Sequence, residues 1–370
     1  MSSTNHLRFD ISKVDTNLLK GIGILMIVIH NFLHNVNPLI GENEFSFSLH
    51  ITQKYLDAVA IFPQEFLRAN FSFFGHYGVQ LFVFLSAYGL TKAYFNKAIK
   101  YHDFVRSRFI KVYLTFLLCL AMYLCFGVLK VVFLSPTEQV FVWDAILYKV
   151  LLISNFVPGE GITPVGPWWF LPFIMQFYLV FPAMLLIFRK YGVPSLLMMA
   201  ALGFALEIIF SAPLQDIGLN INYTFLGHMS VFCIGMYFAM HGLKVNKYIV
   251  FLLSLAGFVA SMFYQTAWYF SDLTVTLVLL ILCLPILQKL KQGGVFYKTL
   301  SFYGSISFPL FLVNGFLRSP FLNFADRYET WFAYVIAAFV SLAFSTFVAL
   351  ILDFTDKKTR YFVGKKIGNQ

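Results

Sequence analysis

Residues 18–36 read LLKGIGILMIVIHNFLHNV. A cation, Lys20, is followed by nine residues that are apolar or glycine, and then by His30, Asn31 and His34. At 1.5 Å per residue such a stretch covers most of the ~30 Å hydrocarbon core of a bilayer, so it predicts a membrane-spanning helix. The first sixteen residues are polar and of mixed charge, and the apolar run is long enough to cross. It is therefore expected to be an anchor and not a cleavable leader. The polar groups are patterned as well. At 100° per residue Asn31 returns to within about 20° of Lys20, His34 lies about 40° to the other side, and His30 flanks that stripe.

Nine further stretches meet the same requirement: 75–94, 110–133, 168–188, 193–210, 224–240, 248–264, 268–287, 300–316 and 332–352. The expectation is an all-α, polytopic integral membrane protein with ten transmembrane helices in one domain over 1–370. Composition agrees. Of 370 residues 59% are hydrophobic and 12% charged, with a mean hydropathy of +0.75, which excludes a string of soluble domains. The net charge is +10, but the cations lie in short loops between apolar runs and are read as topology, not as nucleic-acid binding.

With the N-terminus in the cytoplasm, only six of the 27 Lys and Arg fall outside: Lys54, Arg68, Lys130, Lys149, Arg318 and Arg327. Both termini are thus expected to be cytoplasmic, with 354–370 as a basic tail. Segments 37–74 and 134–167 become external loops, each with a short interfacial helix pattern, at 51–68 and 142–153. Cys119, Cys125, Cys233 and Cys283 all fall in apolar stretches, which leaves no disulfide framework and no CxxC metal pattern.

Polar groups in hydrocarbon are costly, so each is a functional candidate. His30 lies about 15 Å along the helix from Lys20, and His34 shares its face one turn on. A histidine at that depth can take a proton from an alcohol, carry an acyl group, bind a metal or bond to a neighbouring helix. No helix offers a second pair of metal-ligand type, so no metal is expected. Glu207 and Asp272 stand near the outer ends of their helices, as functional groups or interfacial anchors. A second cluster is FVRSRFIKVY at 104–113. Arg106, Arg108 and Lys111 suit phosphate clamping, although positive-inside bias alone also places cations there. Glycine-rich phosphate loops are absent, which argues against a nucleotide-hydrolysing engine.

Five segments together resemble the membrane acyltransferase 3 family over nearly the whole chain. Lys20-Gly21-Ile22-Gly23-Ile24 leading to His30 is similar to that family's opening helix. GVQLFVFLSAYGL, from Gly78 to Leu90, resembles its G-V-x-x-F-F-x-L-S-G-Y-x-L, with Ala87 in place of the glycine. Arg108-Phe-Ile-Lys111 stands where the family has a basic R-x-x-R pair. Trp169-Phe170-Leu171, Phe177-Tyr178-Leu179 and Pro182 match its W-F-L…F-Y-L…P helix. Tyr303-Gly304-Ser305-Ile306-Ser307-Phe308 through Phe311-Leu312 looks like its late G-x-x-S-Y…Y-L element.

The resemblance implies a membrane-bound O-acyltransferase of the bacterial cytoplasmic (inner) membrane. Such enzymes move an acyl group, acetyl by default, from acyl-CoA (acetyl-CoA) to a hydroxyl of a cell-surface glycan or lipid-linked sugar. The partners implied are that donor, that acceptor and membrane lipids, with no nucleic acid and no metal. The catalytic set implied is His30 or His34 with Asn31. The family places ten residues between its basic residue and its histidine, whereas Lys20 to His30 leaves nine and Asn31 takes the ten-gap position. Lys20, Arg106, Arg108 and Lys111 would hold the donor's phosphates. Ser86, Trp168, Trp169 and Asn314 would serve the substrate, Asn314 standing where the late motif often ends in histidine. The competing class is a transporter or flippase-like exporter of a glycan or acyl group, its histidines relaying protons.

Overall fold

The computed structural model describes residues 11–36, 41, 44–61, 65–133, 141–242 and 246–367. They form helices, with no strand among the described residues. In chain order these are α1 Lys13–Leu33, α2 Leu49–Ile61, α3 Phe66–Phe74, α4 Gly78–Tyr94, α5 Tyr101–Phe133, α6 Trp143–Val150, α7 Phe170–Tyr191 and α8 Val193–Asp216. There follow α9 Met229–His241, α10 Lys247–Phe263, α11 Gln265–Trp268, α12 Ser271–Lys289, α13 Val295–Ser305, α14 Ser307–Leu317, α15 Ser319–Asp326 and α16 Trp331–Ile367. A 3₁₀ turn, Gly75–Tyr77, joins α3 to α4, and another, Gly166–Trp169, leads into α7.

Among the described residues six helices are long and apolar enough to cross a membrane, or seven if α13 and α14 count as one broken span. Their outward faces are apolar: Leu197, Met198, Ile208 and Ile209 on α8 and Leu129 and Val132 on α5 are all exposed. A solvent-facing helix would not carry such a surface, and lipid covers it without cost. The protein is thus a multi-pass membrane protein. The six-to-seven figure differs from ten for identifiable reasons. The stretches at 75–94, 224–240 and 248–264 form helices of 17, 13 and 17 residues, shorter than the ~20 a full crossing takes. The stretch 300–316 breaks at Ile306, whose backbone leaves the helical region, and Pro309 lies in the first turn of α14, where its missing N–H is tolerated.

The loop patterns appear as helices. The 51–68 pattern is α2 and α3, with 62–64 outside the described residues, and the 142–153 pattern is α6. The rest of the two loops includes 37–40, 42–43 and 134–140, also outside them. The α16 helix runs through the tail to Ile367, and 368–370 lie outside the described residues. Ion pairs one turn apart extend the helix, Asp353 with Lys357 at 2.6 Å and Asp356 with Arg360 at 2.8 Å.

The chain divides into two compact units. One comprises Met1–Ile99, Val180–Asp216 and Asn220–Ser305; the other comprises Lys100–Leu179, Ile217–Leu219 and Ile306–Gln370. In the first, α1 is the axis, packing on α13, α4, α3 and α12. Its start is fixed by a reciprocal cap, in which Asp15 N–H donates to Ser12 Oγ at 3.1 Å and Ser12 N–H to Asp15 Oδ2 at 2.9 Å. Gly21 lets α1 touch the α13 backbone, since a Cβ there would run into the Leu300 carbonyl. In the second unit α14 and α16 pack on α5, around Trp168, Phe116, Phe173 and Phe177, all fully buried.

If that close approach holds the axis in place, Gly21→Val should cost about 1–3 kcal/mol through overpacking. Thermal unfolding of the detergent-solubilised protein measures it, and an unchanged midpoint would show that α1 and α13 have room to separate.

Candidate active site

In the first unit the last two turns of α1 gather imidazoles. His30 is 2% exposed, and its Nδ1 lies 3.2 Å from the Phe71 carbonyl on α3. A carbonyl only accepts, so Nδ1 carries a proton. The approach requires Gly75, where any Cβ would come within 2.5 Å of the His30 Cβ. His34 stacks on His30 with ring centroids 4.6 Å apart. Its Nδ1 donates to the His30 carbonyl at 2.8 Å, and Asn35 Nδ2 donates to the Asn31 carbonyl at 2.9 Å. Asn35 thus satisfies the Asn31 carbonyl, while the His30 carbonyl, which also accepts from the His34 N–H at 2.9 Å, takes the His34 ring as a second donor and ties it to the helix end. Asn31 is half-buried beside them.

A third histidine joins them. His76, in the turn before α4, is 3% exposed and presents its ring edge-on to His30 at 5.3 Å, with Tyr77 4.0 Å away on its other side. Sequence reading passed over it because it opens an apolar run and has no helical spacing to His30; a histidine inside a predicted span was the available signal. The rings meet by face and edge, and among the described residues no group of three or more His, Cys, Asp or Glu is arranged to hold a metal ion.

A buried polar network continues in the same unit. His228 Nδ1 lies 2.7 Å from Asp272 Oδ2 and its Nε2 3.0 Å from the Asn222 carbonyl. The Asn222 carbonyl only accepts, so Nε2 donates to it, and Nδ1 is within hydrogen-bond distance of the Asp272 carboxyl. Gln80 lies 3.3 Å from Nδ1. Asp272, read from the sequence as site or anchor, is thus half of a buried pair that only the packing of α12 against α9 creates.

Lys20 stands at the other end of α1, half-buried in a cleft with Lys13 and Lys92. Ser86, on α4, spends its hydroxyl on the Phe82 carbonyl at 2.7 Å, the usual back-bond of a serine inside a helix.

The remaining candidates belong to the second unit. Trp168 is fully buried and its one donor, Nε1, bonds to the Leu312 carbonyl at 2.9 Å. The Trp169 carbonyl accepts from Asn155 Nδ2 at 2.9 Å. Asn314 is buried and gives Nδ2 to the Leu310 and Phe311 carbonyls of its own helix. In the basic cluster on α5, Arg106 is exposed and Arg108 lies over the Phe104 ring at 5.4 Å. The Lys111 carbonyl accepts from Arg360 Nη2 at 2.7 Å, and Arg360 also reaches Thr115 at 3.0 Å. The α16 helix, bringing Asp356 as well, therefore backs the Lys111 side of that cluster.

One cation of the segment between α5 and α7 is buried. Lys149, on α6, is fully buried, and its Nζ donates to the Gly161 carbonyl at 2.5 Å. Burial pushes its ammonium down to about 7, against the attraction of Glu160.

A family model described as an acyltransferase domain, acyltransferase 3, matches residues 14–352. Among curated proteins and among solved structures nothing matches.

Two outcomes test these placements. Asp272→Ala should cost about 1–3 kcal/mol of stability, the order for leaving a buried polar group such as His228 unsatisfied, while an unaffected unfolding midpoint would mean that the His228–Asp272 contact adds nothing to the fold. Because folding lowers the Lys149 affinity for protons, the unfolded chain binds more of them between pH 7 and 10.5, and stability rises with pH across that window. Lys149→Met should abolish that part of the rise in unfolding free energy, and an identical pH profile in both proteins would contradict it.

Proposed function

The chain belongs to the acyltransferase 3 family, and from that premise we propose a membrane O-acyltransferase whose general base is His30. It moves an acyl group, acetyl in the simplest case, from acyl-CoA to a hydroxyl of a cell-surface carbohydrate or lipid-linked sugar, in a bacterial cytoplasmic membrane. The six long helices, the α13–α14 pair and the shorter α4, α9 and α10 supply ten apolar segments. Ten crossings in a single functional domain, with both termini cytoplasmic, is the arrangement that the positive-inside distribution favours.

The observation that carries the reading is the buried His30 whose Nδ1 is held by the Phe71 carbonyl. With Nδ1–H held by the carbonyl, Nε2 is the ring nitrogen that can take a proton from a substrate. In the reaction the acceptor hydroxyl gives its proton to Nε2 as its oxygen attacks the thioester carbonyl. The C–S bond then breaks, the ester leaves, and the thiolate takes the proton back from the ring, so the ring ends as it began. Asn31, the amide beside His30, is the group placed to steady the tetrahedral oxyanion. The donors of Ser86, Trp168 and Asn314 are given to backbone carbonyls, which supports a part in shaping the substrate's surroundings for them and for Trp169. His34 is bound to the helix end, which favours His30 of the two.

Isolated membranes incubated with labelled acetyl-CoA and the host's surface glycan provide the test. His30→Ala should lower label transfer by about 10²–10⁴-fold while the protein remains in the membrane, and His34→Ala should lower it less. A His30→Ala protein with normal transfer, or a larger loss from His34→Ala, would remove His30 from the base position.

A further inference from the structure

Lys149, on α6, takes no part in the reaction proposed above, although it is fully buried. The segment packed against its amine is the loop that leads from α6 to α7. Asn155 Nδ2 donates to the Trp169 carbonyl at 2.9 Å and ties the two ends of that loop together, so 155–169 closes on itself as an Ω-loop. The Gly159 N–H reaches the Gly218 carbonyl at 2.8 Å, and the Glu160 N–H reaches the Val157 carbonyl at 3.0 Å. Within the closed loop Gly161 is buried, and its carbonyl accepts from Lys149 Nζ at 2.5 Å. Among the described residues this carbonyl is the one hydrogen-bond acceptor of the amine. A single acceptor suits a neutral amine, whereas an ammonium brings three donors and a full charge that burial penalises. Glu160 is the charged group whose field reaches Lys149, and its Oε2 accepts from the Thr163 hydroxyl. On α6 itself Asp144 is exposed and Tyr148 half-buried, and on α5 the Tyr113 hydroxyl donates to the Val150 carbonyl at 2.9 Å.

We infer that Lys149 is a protonation-sensitive latch of the 155–169 loop: the neutral amine keeps the loop closed on α6, and protonation releases it to water. In the closed loop burial pushes the ammonium down to about 7, from 10.5 for a lysine in water. The open form therefore binds more protons between those limits, so opening grows as the pH falls from 10.5 to 7 and levels off below 7. The loop is built to open by itself. Pro158, Gly159 and Ile162 are exposed, and a Cβ on Gly159, which holds a φ of +77°, would meet nothing within 4 Å. A segment with so little packed against its tip belongs to the least stable part of a fold. With both termini cytoplasmic, as proposed above, the loop lies on the outer side and answers to the pH of the medium.

Hydrogen–deuterium exchange of the full-length protein in nanodiscs tests the latch without requiring turnover. It is followed by mass spectrometry at pH 6 and pH 9 and corrected for the intrinsic pH dependence of amide exchange. The Gly159 and Glu160 amides should open at least about tenfold more at pH 6 than at pH 9, and at pH 6 they should be less protected than amides in the middle of α5. Lys149→Met, which fills the space without a charge, should reduce the difference between the two pH values to less than about twofold. Glu160→Gln keeps an acceptor for Thr163 but removes the attraction for the ammonium, so it should raise opening at pH 6 about threefold or more and leave pH 9 within about twofold. Equal opening at the two pH values in the wild-type protein overturns the inference, as does a full pH response in Lys149→Met or an unchanged loop in Glu160→Gln. Loop amides as protected as the middle of α5 also overturn it, because the loop would then open only when its whole unit unfolds.

Discussion

The hydrogen bond from His30 Nδ1 to the Phe71 carbonyl, at 3.2 Å, is the constraint on which the site depends. An imidazole buried in an apolar bundle is expensive unless its polar atoms find partners. Here the partner comes from a neighbouring element, so α1 and α3 are registered against each other by the imidazole proposed as the base. Gly75 is the sequence's concession to that registry, because a side chain there would occupy the position of the His30 Cβ. The same bond selects the tautomer and so decides which nitrogen faces a reacting group.

From that fixed point α1 works as a ruler. Its outer turns hold the histidines and its first turns help form the lysine cleft, with a single rigid helix between them. Tight packing keeps the ruler straight. Ile24 and Ile27, between Lys20 and the histidines on the same stripe, are buried. The first unit thus carries a cationic mouth and an imidazole cluster on one element, and their spacing changes only if α1 itself unwinds.

Much of this was legible in the sequence, for physical reasons. Lipid demands long apolar helices, and the ten segments follow from that demand; a helix repeat places Lys20, Asn31 and His34 on one stripe without reference to neighbours. What was hidden depends on contacts between elements distant in sequence. His76 joins His30 only because α3 folds back on α1, and His228 finds Asp272 only through the packing of α9 near α12. The burial of Lys149 likewise follows from the packing around α6 and not from its place in the chain.

Solid-state ¹⁵N NMR of the histidine-labelled protein in bilayers, with His30→Asn used to assign the signals, examines the registry bond itself. At neutral pH the account predicts that the His30 ring carries its proton on Nδ1 and that Nε2 resonates as an unprotonated nitrogen. A ring protonated on Nε2 alone would contradict it, because Nδ1 could then give nothing to Phe71 and the base would face the wrong way.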